Sequence, residues 1–91
     1  MAQIIITLKI MPSSPEVNLE QIKTHATQLV SDFGGEVGKS ETQPFAFGLN
    51  VLFLYFVMDE SKGATDELEK KISELEGVES VEISDVRRAI G

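Results

Sequence analysis

The 91-residue chain contains no cysteine and no tryptophan, and it has only one histidine, one tyrosine and three prolines. Without cysteine the chain cannot form disulfides, bind metals through thiolates or use a thiol nucleophile. His25 lies beside the apolar stripe of a predicted helix with no evident serine or cysteine partner, so we interpret it as a residue at the edge of the core. No metal-ligand spacing and no phosphate-binding glycine loop is present. The sequence therefore predicts no metal, no cofactor and no enzyme activity.

Basic residues are also scarce, because eight lysines and arginines face fifteen aspartates and glutamates and leave a net charge of −7. Nucleic-acid affinity comes largely from cations that neutralise phosphates, so this balance disfavours direct nucleic-acid binding. An RNA-binding sheet would stack bases on aromatic residues of both central strands. Phe53 and Tyr55 would suit that role, but the first predicted strand offers no aromatic residue. The charge instead suits a protein partner with a basic surface.

The N-terminus has no basic region followed by an apolar segment, as a signal peptide would. The longest apolar run is far shorter than the about 20 residues that cross a bilayer as a helix. We therefore expect a soluble, cytoplasmic protein that does not bind membranes and that forms a single domain over residues 1–91.

Hydrophobic periodicity and the signals for helix ends divide the chain into six elements. Helices are predicted from the N-cap Asn18 to Gly34 and from the N-cap Thr65 to Gly77. Strands are predicted over residues 4–10, 36–43, 51–58 and 78–84, the second of them polar enough to lie at a sheet edge. The order β-α-β-β-α-β predicts an α+β, ferredoxin-like sandwich, with a four-stranded antiparallel sheet and both helices on one face. The first and third strands should be central, since they are the most apolar.

Most of the aromatic surface lies in or beside the third strand, which the segment Gln-Pro-Phe-Ala-Phe-Gly-Leu (43–49) precedes. Pro44 and Gly48 indicate a hairpin turn that leaves Phe45 and Phe47 at its tip. Exposed aromatic side chains are good interface anchors, but they also pack well into a core. The residues alone leave both roles open.

Both faces of the third strand are apolar from residue 51 onward. A sheet with helices on one side needs apolar residues on that side only. We therefore expect the open face of the sheet to be covered by a loop, the C-terminal tail, a second copy of the chain or a partner protein.

Three segments resemble the archaeal elongation factor 1-beta family: Gln-Pro-Phe-Ala-Phe-Gly-Leu before the third strand, Ile-Met-Pro-Ser-Ser-Pro-Glu-Val after the first, and Leu-Glu-Gly-Val-Glu-Ser-Val-Glu-Ile-Ser-Asp-Val-Arg-Arg near the end. The resemblance covers essentially the whole chain. It implies a guanine-nucleotide exchange factor for elongation factor 1-alpha, the GTPase that delivers aminoacyl-tRNA in translation elongation, and it implies the same ferredoxin-like fold. The exchange factor would perform no bond chemistry of its own and would act as a monomer.

The resemblance also implies a partner-binding site. Phe47 matches the family phenylalanine that inserts into the GTPase, and Pro44, Gly48 and Leu49 shape its loop, whereas Phe45 stands where the eukaryotic segment is not aromatic. The eukaryotic factors use a lysine near the C-terminus to disturb the magnesium site of the GTPase. Gly91 stands at that position here, and Arg87 and Arg88, four and three residues earlier, are the nearest cations. The competing hypothesis is a regulatory domain of the ACT type that dimerises through its open sheet face, burying Phe53 and Tyr55.

Overall fold

The computed structural model describes residues 2–88 as four strands and two helices in the predicted order. The elements are β1 (Gln3–Pro12), α1 (Leu19–Phe33), β2 (Glu36–Pro44), β3 (Asn50–Asp59), α2 (Asp66–Ser73) and β4 (Val78–Arg88). A tight turn at Ala46–Gly48 precedes β3, and a short 3-10 turn at Glu60–Lys62 follows it. No helix in this part of the chain is long and apolar enough to cross a membrane.

The strands form one antiparallel sheet in the order β2-β3-β1-β4. β1 and β3 are therefore central, and the polar β2 lies at an edge, as predicted. This arrangement confirms the ferredoxin-like α+β fold.

The hydrophobic core lies between one face of the sheet and the two helices. Alternate residues of the central strands point into this space because successive side chains of a strand lie on opposite faces. The buried core residues are Ile6, Leu8 and Ile10 of β1, Leu52, Leu54, Phe56 and Met58 of β3, Ile22, Ala26 and Val30 of α1, and Leu68 and Ile72 of α2. The opposite face carries no helix and is called the open face below.

The ends of α1 are as predicted. The Asn18 side chain accepts hydrogen bonds from the backbone N–H groups of Glu20 and Gln21 at 3.0 and 3.3 Å. Gly34, with φ 105°, takes the left-handed conformation that ends the helix.

The prediction for α2 is wrong in detail. Thr65 is its N-cap residue but makes no side-chain cap hydrogen bond, because its hydroxyl donates to Glu69 Oε2 at 2.9 Å instead. The helix also ends at Ser73 rather than near Gly77, so Leu75 packs on the core from the following turn.

All four strands are longer than predicted, β2 by one residue, β3 by one residue at each end, and β1 and β4 by more. β1 continues to Pro12, which pairs with Val78 at the end of the ladder, where a missing backbone donor is tolerated. β4 continues past Ser84 to Arg88, because its last residues pair with the first half of β1 in the order Thr7 to Asp85 and Ile4 to Arg88. The polar side chains of this extension gave no periodic signal.

Candidate functional site

The loop between β2 and β3 forms a tight, hydrogen-bonded tip. Pro44 pairs with Asn50 as the last pair of the β2–β3 ladder. Beyond it, the Phe45 N–H donates to the Leu49 carbonyl at 2.7 Å, and the Leu49 N–H donates to the Ala46 carbonyl at 3.2 Å. The loop is therefore an ordered extension of the hairpin.

Phe47 has an unusual backbone conformation at this tip. Its φ of 62° and ψ of 29° lie in the left-handed region, and Gly48 follows with a φ of 76°. Positive φ at both central residues is the signature of a type I′ hairpin turn, in which Asn-Gly is the favoured pair. Among the described residues other than glycine, only Phe47 has a positive φ. A phenylalanine here costs roughly 1–2 kcal/mol relative to ordinary backbone, and such strain is concentrated at functional sites.

The two loop phenylalanines differ in exposure. Phe47 is 92% exposed, whereas Phe45 is 49% exposed. The turn pattern predicted both at the tip, and only the family resemblance favoured Phe47 over Phe45. The turn directs Phe47 into solvent, and the Phe45 ring has the Lys9 ammonium 5.5 Å from its centroid. Lys9 lies on β1, and no pattern in the sequence connects it with this loop.

The open face is only partly covered. Phe53, Tyr55 and Val57 are half-buried, and Val51 is 2% exposed although it is not part of the core on the helix side. Charged side chains on this face pair with one another: Lys9 lies 3.5 Å from Glu82, and Lys39 lies 4.0 Å from Glu41. Val51, at the end of β3 next to the β2–β3 loop, is the one apolar residue of β3 that is buried on this face.

The two candidate arginines lie on β4 rather than in a tail. Arg87 Nε is 2.8 Å from Asp85 Oδ2, and Arg88 Nη2 is 2.8 Å from Glu60 Oε1. Both arginine side chains are mostly exposed, and exposed ion pairs of this kind contribute little free energy, so either arginine can exchange its partner readily. Gly91 lies outside the described residues.

The structure separates the loop from the arginines. Arg87 faces Ile5 at the start of β1, whereas Leu52, close to the loop, faces Ile10 near its end. Five residues of strand span roughly 17 Å, and the tip lies beyond Leu52. The sequence-predicted site residues therefore form two groups at opposite ends of the sheet.

His25 is exposed on α1 and lines a shallow groove with Asn18 and Glu74. Across residues 2–88 there is no group of three or more histidine, aspartate or glutamate side chains that could hold a metal ion.

A small α+β domain that holds a solvent-exposed phenylalanine in a strained, ordered turn has the form of a protein-binding module. Comparison with known proteins identifies its family. The family model described as the EF-1 guanine nucleotide exchange domain matches residues 5–89.

Curated relatives named elongation factor 1-beta are similar over almost their full length. The protein of Methanobrevibacter smithii is 43% identical over 88 residues, which cover 97% of this chain and 98% of the relative. The proteins of Methanothermobacter thermautotrophicus and Hyperthermus butylicus are 38% and 39% identical, with 97% of this chain and 98% and 96% of the relatives covered. The chain belongs to the EF-1 guanine nucleotide exchange domain family, and its function is guanine-nucleotide exchange in translation elongation.

A solved structure supports the fold alone. The solution structure of the C-terminal domain of the MgtC protein from Mycobacterium tuberculosis superposes with a TM-score of 0.64 at 18% sequence identity. The superposition covers 97% of this chain and 88% of that one.

Proposed function

We propose that the chain is a single, monomeric exchange-factor domain that promotes GDP release from elongation factor 1-alpha in the cytoplasm, with Phe47 as its principal anchor. The observation that carries the assignment of Phe47 is its 92% exposure in a turn whose conformation is unfavourable for phenylalanine. An apolar ring kept in water gains free energy when a partner buries it, which is how interface anchors act.

To promote exchange, this chain needs to bind the nucleotide-free and the GDP-bound GTPase with different affinities. It does not need to make or break a covalent bond. A factor that binds the nucleotide-free GTPase more tightly than the GDP-bound form must weaken GDP binding by the same ratio. A phenylalanine that finds its pocket only after elements of the GTPase have moved apart provides this difference. Pro44, Gly48 and Leu49 maintain the turn, while Arg87 and Arg88 form a second contact, at the nucleotide site.

The test replaces Phe47 by two residues that treat the backbone differently. Both substitutions remove the ring. Alanine, like phenylalanine, disfavours the positive φ at this position, whereas asparagine suits the type I′ turn. Both variants should lower stimulated release of a fluorescent GDP analogue from the cognate GTPase by about 30-fold or more at subsaturating factor, the effect of losing a hot-spot aromatic residue. Phe47→Asn should melt at the same temperature as the unsubstituted chain or higher.

Phe53→Leu is the matched control, since it removes an aromatic ring from the open face of β3 and leaves the loop unchanged. Its stimulation of GDP release should equal that of the unsubstituted chain. Full exchange activity in Phe47→Asn would refute the anchor role. The competing function is a regulatory domain that dimerises through the open face. Light scattering on the free chain tests it, because a tight dimer that Phe53→Leu weakens would favour that function.

A further inference from the structure

Phe45 and Lys9 form a contact between the β2–β3 loop and the central strand of the sheet. The Lys9 ammonium lies 5.5 Å from the centre of the Phe45 ring, within the range of a cation–π interaction. Lys9 pairs with Phe53 in the β1–β3 ladder and faces the open side of the sheet. The Phe45 ring therefore lies near the open face at the end next to the loop, while Phe47, two residues later, is 92% exposed to solvent.

The Lys9 side chain is restricted by an ion pair and by partial burial. Its Nζ lies 3.5 Å from Glu82 Oε1 on β4, and its side chain is 28% exposed, compared with 64% for Lys39 on the same face. A lysine restricted in this way loses little further conformational freedom when it packs on the Phe45 ring, since its rotamers are already limited by the sheet and the ion pair.

The burial of Val51 shows that the end of the open face next to the loop is covered. Val51 is 2% exposed, although it lies outside the core between the sheet and the helices. Its neighbours on β3 that face the same side, Phe53 and Tyr55, are only half-buried. The Phe45 ring, held over this end of the open face, is positioned to provide part of the missing cover.

We propose that Lys9 and Phe45 are positioning residues for exchange: together they fix the base of the loop so that Phe47 is presented in its binding conformation before the GTPase arrives. The inference rests on the proposed role of Phe47. Its physical basis is preorganisation, since a loop that is ordered in the free protein gives up less entropy on binding. Phe45 therefore acts within this chain, by fixing the loop on the sheet, whereas Phe47 acts by contacting the GTPase.

The experiment compares Phe45→Leu, Lys9→Met and the double variant. Each single substitution should raise the half-saturating concentration of exchange factor by about two- to fivefold, the effect of losing a partly exposed cation–π contact. The maximal rate of GDP release should not change, because the Phe47 ring is intact. The double variant should be no worse than either single variant, since both break the same contact.

Lys39→Met is the matched control. The Lys39 ammonium lies 5.1 Å from the Tyr55 ring on the open face, so this change removes a similar contact with no connection to the loop. It should leave the half-saturating concentration unchanged. If Phe45 instead contacts the GTPase directly, Phe45→Leu will weaken exchange while Lys9→Met will not, and that pattern would overturn the proposal.

A measurement without the partner separates this proposal from the proposed function. In the free protein, amide hydrogen exchange at Phe45 and Leu49, whose N–H groups close the loop, should be faster in Phe45→Leu and Lys9→Met than in the unsubstituted chain or Lys39→Met. Unchanged protection at both amides would refute the positioning role even if exchange activity is normal. Failure of the unsubstituted chain to stimulate GDP release would instead refute the proposed function.

Discussion

A single backbone conformation distinguishes Phe47 from the other aromatic residues of the chain. The sequence predicted a hairpin tip from Pro44 and Gly48, but its alternation could not choose between Phe45 and Phe47. The family resemblance favoured Phe47, and the structure adds a physical difference, since Phe47 has a left-handed φ of 62° whereas Phe45 is extended. Sequence rules expect asparagine before glycine in such a turn, so a phenylalanine there gives no turn signal.

Tyr55 permits a test of the electrostatics of the open face. Its hydroxyl donates to Glu41 Oε1 at 2.9 Å, and this hydrogen bond is the main cause that raises the pKa of Tyr55 above its ordinary value of 10.0, followed by burial and the charges of Glu41 and Asp85. A raised pKa means that folding favours the neutral phenol. The corresponding stability is fully present below pH 10.0 and is lost as the pH rises through the pKa of the folded state.

We expect the tyrosinate absorbance of the folded chain to appear at a higher pH than in the urea-unfolded chain. The signal is unambiguous because the chain has one tyrosine and no tryptophan. Glu41→Gln should lower the midpoint towards the ordinary value, whereas Glu20→Gln, on the exposed surface of α1, should not change it. Equal midpoints for Glu41→Gln and the unsubstituted chain would contradict the assigned cause.

At the scale of elements, the two helices begin in different ways. Asn18 caps α1 with two hydrogen bonds to backbone N–H groups, while Thr65 at the start of α2 makes none. Asn18→Ala should therefore lower the free energy of unfolding by about 1 kcal/mol. Thr65→Ala should have a smaller effect, since it removes only a hydrogen bond to Glu69. Urea denaturation measures both, and an equal or larger loss for Thr65→Ala would show that the caps are misassigned.

Elements with a strong hydrophobic pattern or clear turn residues at both ends were predictable, including the polar edge strand β2, whereas the polar end of β4 was not. The alternation of Ile6, Leu8 and Ile10 located a central strand, and Asn18 and Gly34 located a helix. The last four residues of β4 were not predicted, because Asp85 to Arg88 carry no apolar alternation. They belong to the sheet through their pairing with β1. The Lys9–Phe45 contact was missed because it joins residues that are distant in the sequence.

At the scale of the whole molecule, the sheet separates the Phe47 loop from Arg87 and Arg88. A partner that contacts both groups must meet the chain at two places, because the groups lie at opposite ends of β1 and β3. Contacts this far apart act independently, so their contributions to binding should add.

The double variant Arg87→Ala/Arg88→Ala should reduce stimulated GDP release, and combining it with Phe47→Asn should multiply the two losses. Thermal stability should change little, since the ion pairs of both arginines are exposed. Lys70→Ala/Lys71→Ala, which removes the same charge from α2, is the control for general electrostatic effects and should retain activity. Equal stimulation by the arginine double variant and the unsubstituted chain would eliminate the contact at the nucleotide site.

The strand order also determines when the molecule can fold during its own synthesis. β1, the first strand to be made, is flanked by β3 and by β4, the last strand. Until residues 78–88 have been synthesised, β1 has one edge without a hydrogen-bonding partner, and an unpaired central edge invites association with other chains. Pairing that joins the two ends of a chain is also slow to form, because a long loop must close before any contact is gained. The sheet is therefore complete only after β4, the last of the four strands, has been synthesised.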